Sequence, residues 1–253
     1  MLATIGTTML ATGSNSFTSY RLSIRFGADG FSFSVLNALG GSAVQTDRFP
    51  IAEQAVAADV LRQALQKPYL MDYRFQSVEF VVEGPATIVP LEHFNKSDML
   101  AFYRLCFPGQ QASVADMQYQ ILSSLEAVMI FSLDGDILRV VQECYPDVKV
   151  CCADAQKLEQ FASQQEKRPA PEEAEQRDAY VSFDEKRFFI AVFRRNKLQY
   201  AASQEASNDN DRAFLLLGIW KALELHPQKD ALHLEGATKE LKKTLAEYLL
   251  NID

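Results

Sequence analysis

The 253-residue chain has no apolar run approaching the ~20 residues that a membrane-spanning helix needs. Its longest candidate, Leu125 to Leu133, is interrupted by Glu126 and Ser132, so no membrane insertion is expected. Residues 1–20 contain neither Lys nor Arg and no sustained apolar core, only a Gly/Thr/Ser-rich start. That is not the pattern of a secretory leader, and a cytoplasmic protein is expected. Cysteine is scarce. Cys106, Cys144, Cys151 and Cys152 form neither a C-x-x-C pair nor the Cys/His spacing of a zinc site. They are expected to be reduced thiols, with Cys151 and Cys152 buried in a short strand. The three histidines, His93, His226 and His233, are scattered, so no metal site is expected. Basic residues are outnumbered, 25 Lys and Arg against 33 Asp and Glu, for a net charge of −8. That balance argues against a nucleic-acid partner. There is no Gly-x-Ser-x-Gly elbow, Walker loop or dinucleotide fingerprint.

What remains is ordinary globular material, 48% hydrophobic and 23% charged. Tyr20 to Phe26 alternates apolar and polar residues, as a half-buried strand does. Gly27-Ala28-Asp29-Gly30 supplies a turn, Phe31, Phe33 and Val35 resume the period of two, and Gly40-Gly41 turns the chain into a third strand from Ala43 to Thr46. The spacing predicts an antiparallel meander. A helix is expected over Ala52 to Gln66, after Pro50, and then a strand over Val78 to Val82 that ends in Glu83-Gly84-Pro85.

The second half repeats this order. Residues 166–178, charged and carrying Pro169 and Pro171, read as a linker. Strands are predicted over Tyr180 to Phe183, Phe188 to Phe193 and Leu198 to Ser203, with polar turns at Asp184 to Arg187 and at Asn196-Lys197. A helix from Asp211 to Leu225 follows caps at Ser207 to Asn210. The strand Ala231 to Leu234 runs into Glu235-Gly236-Ala237-Thr238, and a last helix covers Lys239 to Leu250. Tyr20 precedes Pro50 by the same interval that Tyr180 precedes Asn210, and Glu83-Gly84-Pro85-Ala86-Thr87 matches Glu235-Gly236-Ala237-Thr238. These coincidences point to an internal duplication. The domains expected are 1–165, with a frayed start and an extra strand and helix segment, and a shorter 179–253, joined by 166–178.

Between the repeats, helices are expected over Lys96 to Phe107, Asp136 to Cys144 and Asp154 to Ser163. Strands are expected over Tyr119 to Ser124, Ala127 to Leu133 and Val148 to Cys152. The alternation suggests parallel crossovers continuing the first half's sheet. The lone Trp220, on a helix with Phe214 and Leu217, reads as core.

The layout carried by Tyr20 to Val35, Val78 to Thr87, Tyr180 to Ser203 and Ala231 to Thr238 resembles the actin-like ATPase fold, an α/β architecture of mixed sheets in two ribonuclease-H-like halves. It is similar to an uncharacterised family of Bacteroidetes-type bacteria with that fold and no assigned activity. It is also similar to the cytoplasmic platform proteins of type IV pili and type II secretion. The resemblance implies a nucleotide cleft in which an Asp-x-Gly turn of each half's first hairpin faces phosphates and Mg²⁺, with a Gly-Gly near adenosine. The matching positions here are Asp29 and Gly30, Asp184, and Gly236. Each departs from the pattern. Asp29 and Gly30 are adjacent, Asp184-Glu185-Lys186-Arg187 has no glycine, and Gly236 stands alone. A complete second half would also have one more strand after the last helix.

Because phosphoryl transfer depends on positioning and charge stabilisation together, this incomplete set predicts no catalytic residue and no required cofactor. The expectation is a scaffold or protein-interaction module of unknown oligomeric state, with a protein partner. The alternative is a divergent Mg-ATP-binding or kinase-like protein using Asp29, Gly30, Asp184 and Gly236. A nuclease is disfavoured by the charge and by the lack of a carboxylate set on the strands.

Overall fold

The computed structural model describes residues 19–39, 41–168 and 176–253. The expectations for the frayed start and for Gly40 of the second turn lie outside these residues, as does most of the linker. The first sheet contains β1 (Tyr20–Gly27), β2 (Gly30–Asn37), β3 (Ala43–Pro50), β4 (Phe75–Val82) and β8 (Lys149–Cys152), in the order β3-β2-β1-β4-β8. The first three strands are antiparallel, and β4 and β8 run parallel to β1. Register turns the period of two into a continuous apolar face. Leu22 lies opposite Val35 and Val78, and Ile24 lies opposite Phe33 and Phe80. This face shares a core with Leu61 and Leu65 of α1 (Ala57–Leu65) and with Ile137 and Val141 of α3 (Gly135–Cys144). The first helix starts at Ala57 rather than Ala52, because β3 runs on to Pro50 and a turn occupies the residues between.

The segment between β4 and β8 departs from expectation. β5 (Ala86–Pro90), β6 (Met117–Leu122) and β7 (Ala127–Ser132) form a separate antiparallel sheet in the order β5-β7-β6, with α2 (Met99–Cys106) against it. Only β8 continues the first sheet. The turn that reverses β6 into β7 places Glu126 at φ 50. That tight reversal rules out a parallel crossover, which needs a dozen or more residues.

The second sheet contains β9 (Arg177–Phe183), β10 (Arg187–Arg194), β11 (Lys197–Glu205) and β12 (Ala231–Glu235), in the order β11-β10-β9-β12. Its strand directions match those of β3-β2-β1-β4. Arg195 and Asn196, at φ 48 and 62, make the two-residue turn that suits a hairpin. The expected linker is narrower than 166–178, since Glu166 ends α4 (Ala153–Glu166) and Arg177 already pairs with Arg194. The strand expected to be missing is present in miniature. After α6 (Lys239–Ala246), Ile252 bridges parallel to Leu232, and Asp253 N–H donates to Leu232 C=O at 2.9 Å.

This second sheet is buried on both faces, so β10 reads as a nearly unbroken apolar run. Val181, Phe188, Ile190 and Val192 pack under α5 (Asp209–Ala222) and α6. Tyr180, Phe189, Ala191 and Phe193 face the other way, into the core of the first lobe. The first lobe's core therefore runs into one face of the second sheet, while a separate core lies under α5 and α6 on the other, and the shared face opposes independent domain motion.

Candidate functional site: the cleft between the lobes

The carboxyl ends of the parallel strands β1, β4 and β8, where ligands bind in open α/β sheets, point toward the second sheet. One helix organises this junction. α4 presents Asp154, Lys157, Phe161 and Gln165, spaced as one helical stripe, with Arg168 just past its C-terminus, and every one of them meets the second lobe. At the N-terminal end, the buried Asp154 carboxylate pairs with Arg187 of β10 and accepts the Ser203 hydroxyl of β11 at 2.6 Å. Burial pushes the Asp154 carboxyl up from its ordinary value, against the opposing pull of Arg187 and Ser203. Arg187 also donates to the Gly84 carbonyl at 3.3 Å. One turn on, Lys157 holds Glu235 at 3.1 Å, and Phe161 stacks on Tyr180 and Phe189.

At the C-terminal end of α4 lies a second polar cluster. Gln165 donates to Asp178 at 3.1 Å and accepts the Tyr180 hydroxyl at 2.8 Å. His233 sits between two carboxylates, Nε2 3.1 Å from Asp178 and Nδ1 3.0 Å from Asp253, while Arg168 reaches Asp253 at 3.5 Å. His233 thus has the partners that its place on a strand did not reveal. Although burial opposes it, the bonds from His233 and Gln165 hold the Asp178 carboxyl below the usual range. Burial, with Asp178 nearby, pushes the Tyr180 phenol up to about 12.

Each residue expected to face a nucleotide has a structural partner. Asp29, at the tip of the β1–β2 hairpin, meets Lys186 of the β9–β10 hairpin at 2.8 Å. Gly30 has φ +124, and an added Cβ would lie 2.3 Å from the Phe49 carbonyl oxygen. Its missing side chain makes room for β3. Gly236 has φ +76, with the Phe183 carbonyl oxygen 2.7 Å from an added Cβ, so that glycine serves the contact of β12 with β9. Asp184 turns inward on its own hairpin, its side chain accepting the Glu185 N–H at 2.8 Å. Its carbonyl accepts from Arg212 of α5. Glu83, at the end of β4, pairs with Arg25 at 2.6 Å.

The four carboxylates Asp29, Glu83, Asp154 and Glu235 thus each carry a cation of the chain itself. The recess bounded by Arg25, Glu83, Asp154, Lys157, Asp184 and Arg187 measures about 90 Å³. Sites for small organic ligands are commonly about 300–1,000 Å³. These residues do not fit a Mg²⁺-triphosphate, which needs free carboxylates, open backbone donors and more room. Among the described residues no group of three His, Cys, Asp or Glu is arranged to hold a metal ion, and no helix is long and apolar enough to cross a membrane.

The stripe on α4 was not apparent from sequence. Its signal was present all the same: Asp154 and Gln165 share a period with Phe161 rather than standing opposite to it.

Comparison with known proteins places this geometry. A solved structure from Bacteroides thetaiotaomicron, described as a protein with actin-like ATPase fold and unknown function, superposes with a TM-score of 0.76 at 24% identity, over 92% of this chain and 89% of that chain. The PilM–PilN type IV pilus biogenesis complex is more distant, at TM-score 0.45 and 12% identity over 92% of this chain and 90% of that chain. So is the ethanolamine utilization protein EutJ of Carboxydothermus hydrogenoformans, at TM-score 0.45 and 7% identity over 92% and 84%. No curated protein matches. The fold is that of the actin-like ATPases. The family described as "Protein of unknown function (DUF3822)" matches residues 13–252, and the chain belongs to it.

Proposed function

We propose that this chain is a non-catalytic scaffold, a cytoplasmic bacterial protein whose two lobes derive from a duplicated unit and which works by binding another protein. One observation carries the reading: around the interlobe cleft Asp29, Glu83, Asp154 and Glu235 are each paired with an arginine or lysine of the chain itself, and the Asp184 carboxylate is taken up by the Glu185 N–H. Hydrolysis in this kind of fold relies on open carboxylates and backbone donors around phosphate and metal. Replacing them with internal ion pairs exchanges a ligand site for a junction in which Asp154–Arg187 and Lys157–Glu235 tie the lobes together. The continuous core beneath the cleft supports the same reading, because it opposes the opening and closing that a nucleotide cycle would use.

The test is thermal melting and equilibrium dialysis with millimolar Mg-ATP and Mg-ADP. A ligand of the native state at a hundredfold excess over its Kd adds about 2.7 kcal/mol to stability. We expect no shift in the melting midpoint and no retained nucleotide. A reproducible rise that disappears in Asp29→Ala would overturn the scaffold reading in favour of a nucleotide-binding protein.

A further inference from the structure

The second lobe carries an apolar surface that the lobe junction leaves untouched. The centre of helix α5, Ala213 to Trp220, is apolar all round, and such a stretch normally sits inside a protein. Its inner side packs through Ala213, Leu216 and Trp220. Its outer side is only partly covered, with Leu217 at the edge of the core. Trp220, expected in the core, is buried, but Phe214 is 77% exposed and the space around Gly218 is open. Phe214, Leu217, Gly218 and Lys221 follow the i, i+3, i+4, i+7 spacing of one face. At the end of this face the chain opens into a groove of about 480 Å³ between α5 and the residues after α6, with Leu217, Trp220, Leu225, Pro227 and Tyr248 among its walls. Tyr248 and Leu250 beside it are 59% and 69% exposed.

Two polar features define what would complement this groove. Lys221, on the rim, has no ion pair among the described residues. His226 Nδ1 accepts the Gln228 N–H at 3.1 Å, which leaves Nε2 as the proton-bearing nitrogen of the neutral ring. The groove therefore offers donors, with Glu224 as the single carboxylate in its wall.

We infer that the groove between α5 and the residues after α6 docks an acidic amphipathic helix of a partner protein, its apolar side chains on Phe214, Leu217 and Tyr248 and its carboxylates toward Lys221 and His226. This inference rests on the scaffold reading and names the chemistry of the partner. A helix fits better than an extended segment because no residue of the groove wall belongs to a strand, so the groove presents no free strand edge. An extended guest would leave its own backbone N–H and C=O groups unpaired, whereas a helix satisfies them internally. From Phe214 to Glu224 the face is about 15 Å long, roughly three helical turns.

The probe is a displayed library of ~16-residue helical peptides selected against the full chain. Selected peptides are then titrated while the emission of Trp220, the one tryptophan in the chain, is followed. Binders should carry aliphatic or aromatic residues at i, i+3 or i+4 and i+7 together with Asp or Glu, and should shift Trp220 emission saturably. Phe214→Asp and Lys221→Glu should each weaken them by roughly tenfold or more, as loss of a central anchor does. Both positions are exposed, so these variants should fold. Selection of basic or non-amphipathic peptides, binders indifferent to both substitutions, or no enrichment would overturn the proposal. So would sedimentation as a dimer that Phe214→Asp converts to a monomer, since the occupant would then be a second copy. Mg-ATP added to the same samples keeps the two readings apart. Nucleotide binding alongside peptide binding would sink the scaffold reading and leave the groove in place.

Discussion

Asp29 and Lys186 are 157 positions apart in the chain, yet their side chains meet at 2.8 Å across the tips of two corresponding hairpins. Immediately beneath, Asp154 and Arg187 make the same kind of contact out of water, with the aspartate 3% and the arginine 23% exposed. The two pairs differ in what surrounds them, and that difference decides their weight.

The outer pair is solvated and screened, so Asp29→Ala and Lys186→Ala should each leave the melting midpoint within about 2 °C of the parent. Arg187→Ala, one residue further along, strands a buried carboxylate. It should cost about 3–5 kcal/mol and lower the midpoint by several degrees in the same scan. Equal effects at positions 186 and 187 would mean that the inner pair is not shielded as the geometry requires.

The two buried aspartates on the lobe junction should give opposite pH signatures. The Asp178 carboxyl is lowered in the folded protein. Its stabilising contribution is therefore complete above the ordinary carboxylate range and is lost as pH falls through it. The Asp154 carboxyl is raised by burial. Its contribution is present in acid and is lost as pH rises through the elevated value. Urea unfolding from about pH 3 to pH 7 should then show Asp178→Asn flattening the gain of stability with pH and Asp154→Asn steepening it. The same direction of change in both variants would contradict the two environments.

Much of this architecture is legible in the chain, and what is hidden has a physical cause. The strands β1, β2, β9 and β10 announce themselves through alternation or unbroken apolar runs, because burial on one or two faces is a local property. The antiparallel sheet of β5, β6 and β7 is concealed because pairing partners are chosen at long range. Ala86 to Pro90 is apolar enough to be a strand but carries no mark of β7. Trp220 is legible as core, whereas the exposure of Phe214 is not, because the apolar stretch Ala213 to Trp220 gives no cue to which of its sides is covered. In the cleft, Asp29, Gly30, Asp184 and Gly236 are legible as departures from a phosphate site. The residues that fill the space, Asp154 and Arg187, are not, because charged side chains default to solvent in any local reading.

The thiols should divide evenly. Burial pushes the Cys152 thiol up to about 12 and raises Cys151 as well, with Glu79 adding to the latter. Cys106 and Cys144 are exposed. Because the thiolate is the reactive form, an aromatic disulfide reagent at neutral pH should titrate two thiols in the native protein and all four after denaturation. Rapid reaction of a third native thiol would place Cys151 or Cys152 outside the core.

The glycines near the cleft allow a direct test of whether they serve a ligand or the fold. Gly236, at φ +76, has the Phe183 carbonyl oxygen 2.7 Å from an added Cβ, whereas an added Cβ at Gly84 meets nothing within 4 Å. Gly236→Ala therefore combines left-handed backbone strain with a clash against backbone that cannot swing away. It should cost about 2 kcal/mol or more in urea unfolding with no ligand present. Gly84→Ala should stay within about 0.5 kcal/mol of the parent. Because the cost at Gly236 falls on the apoprotein, loss of stability in that variant says nothing about nucleotide. A Gly236→Ala protein as stable as the parent would free this position from its structural duty and make a ligand the better reason for the glycine.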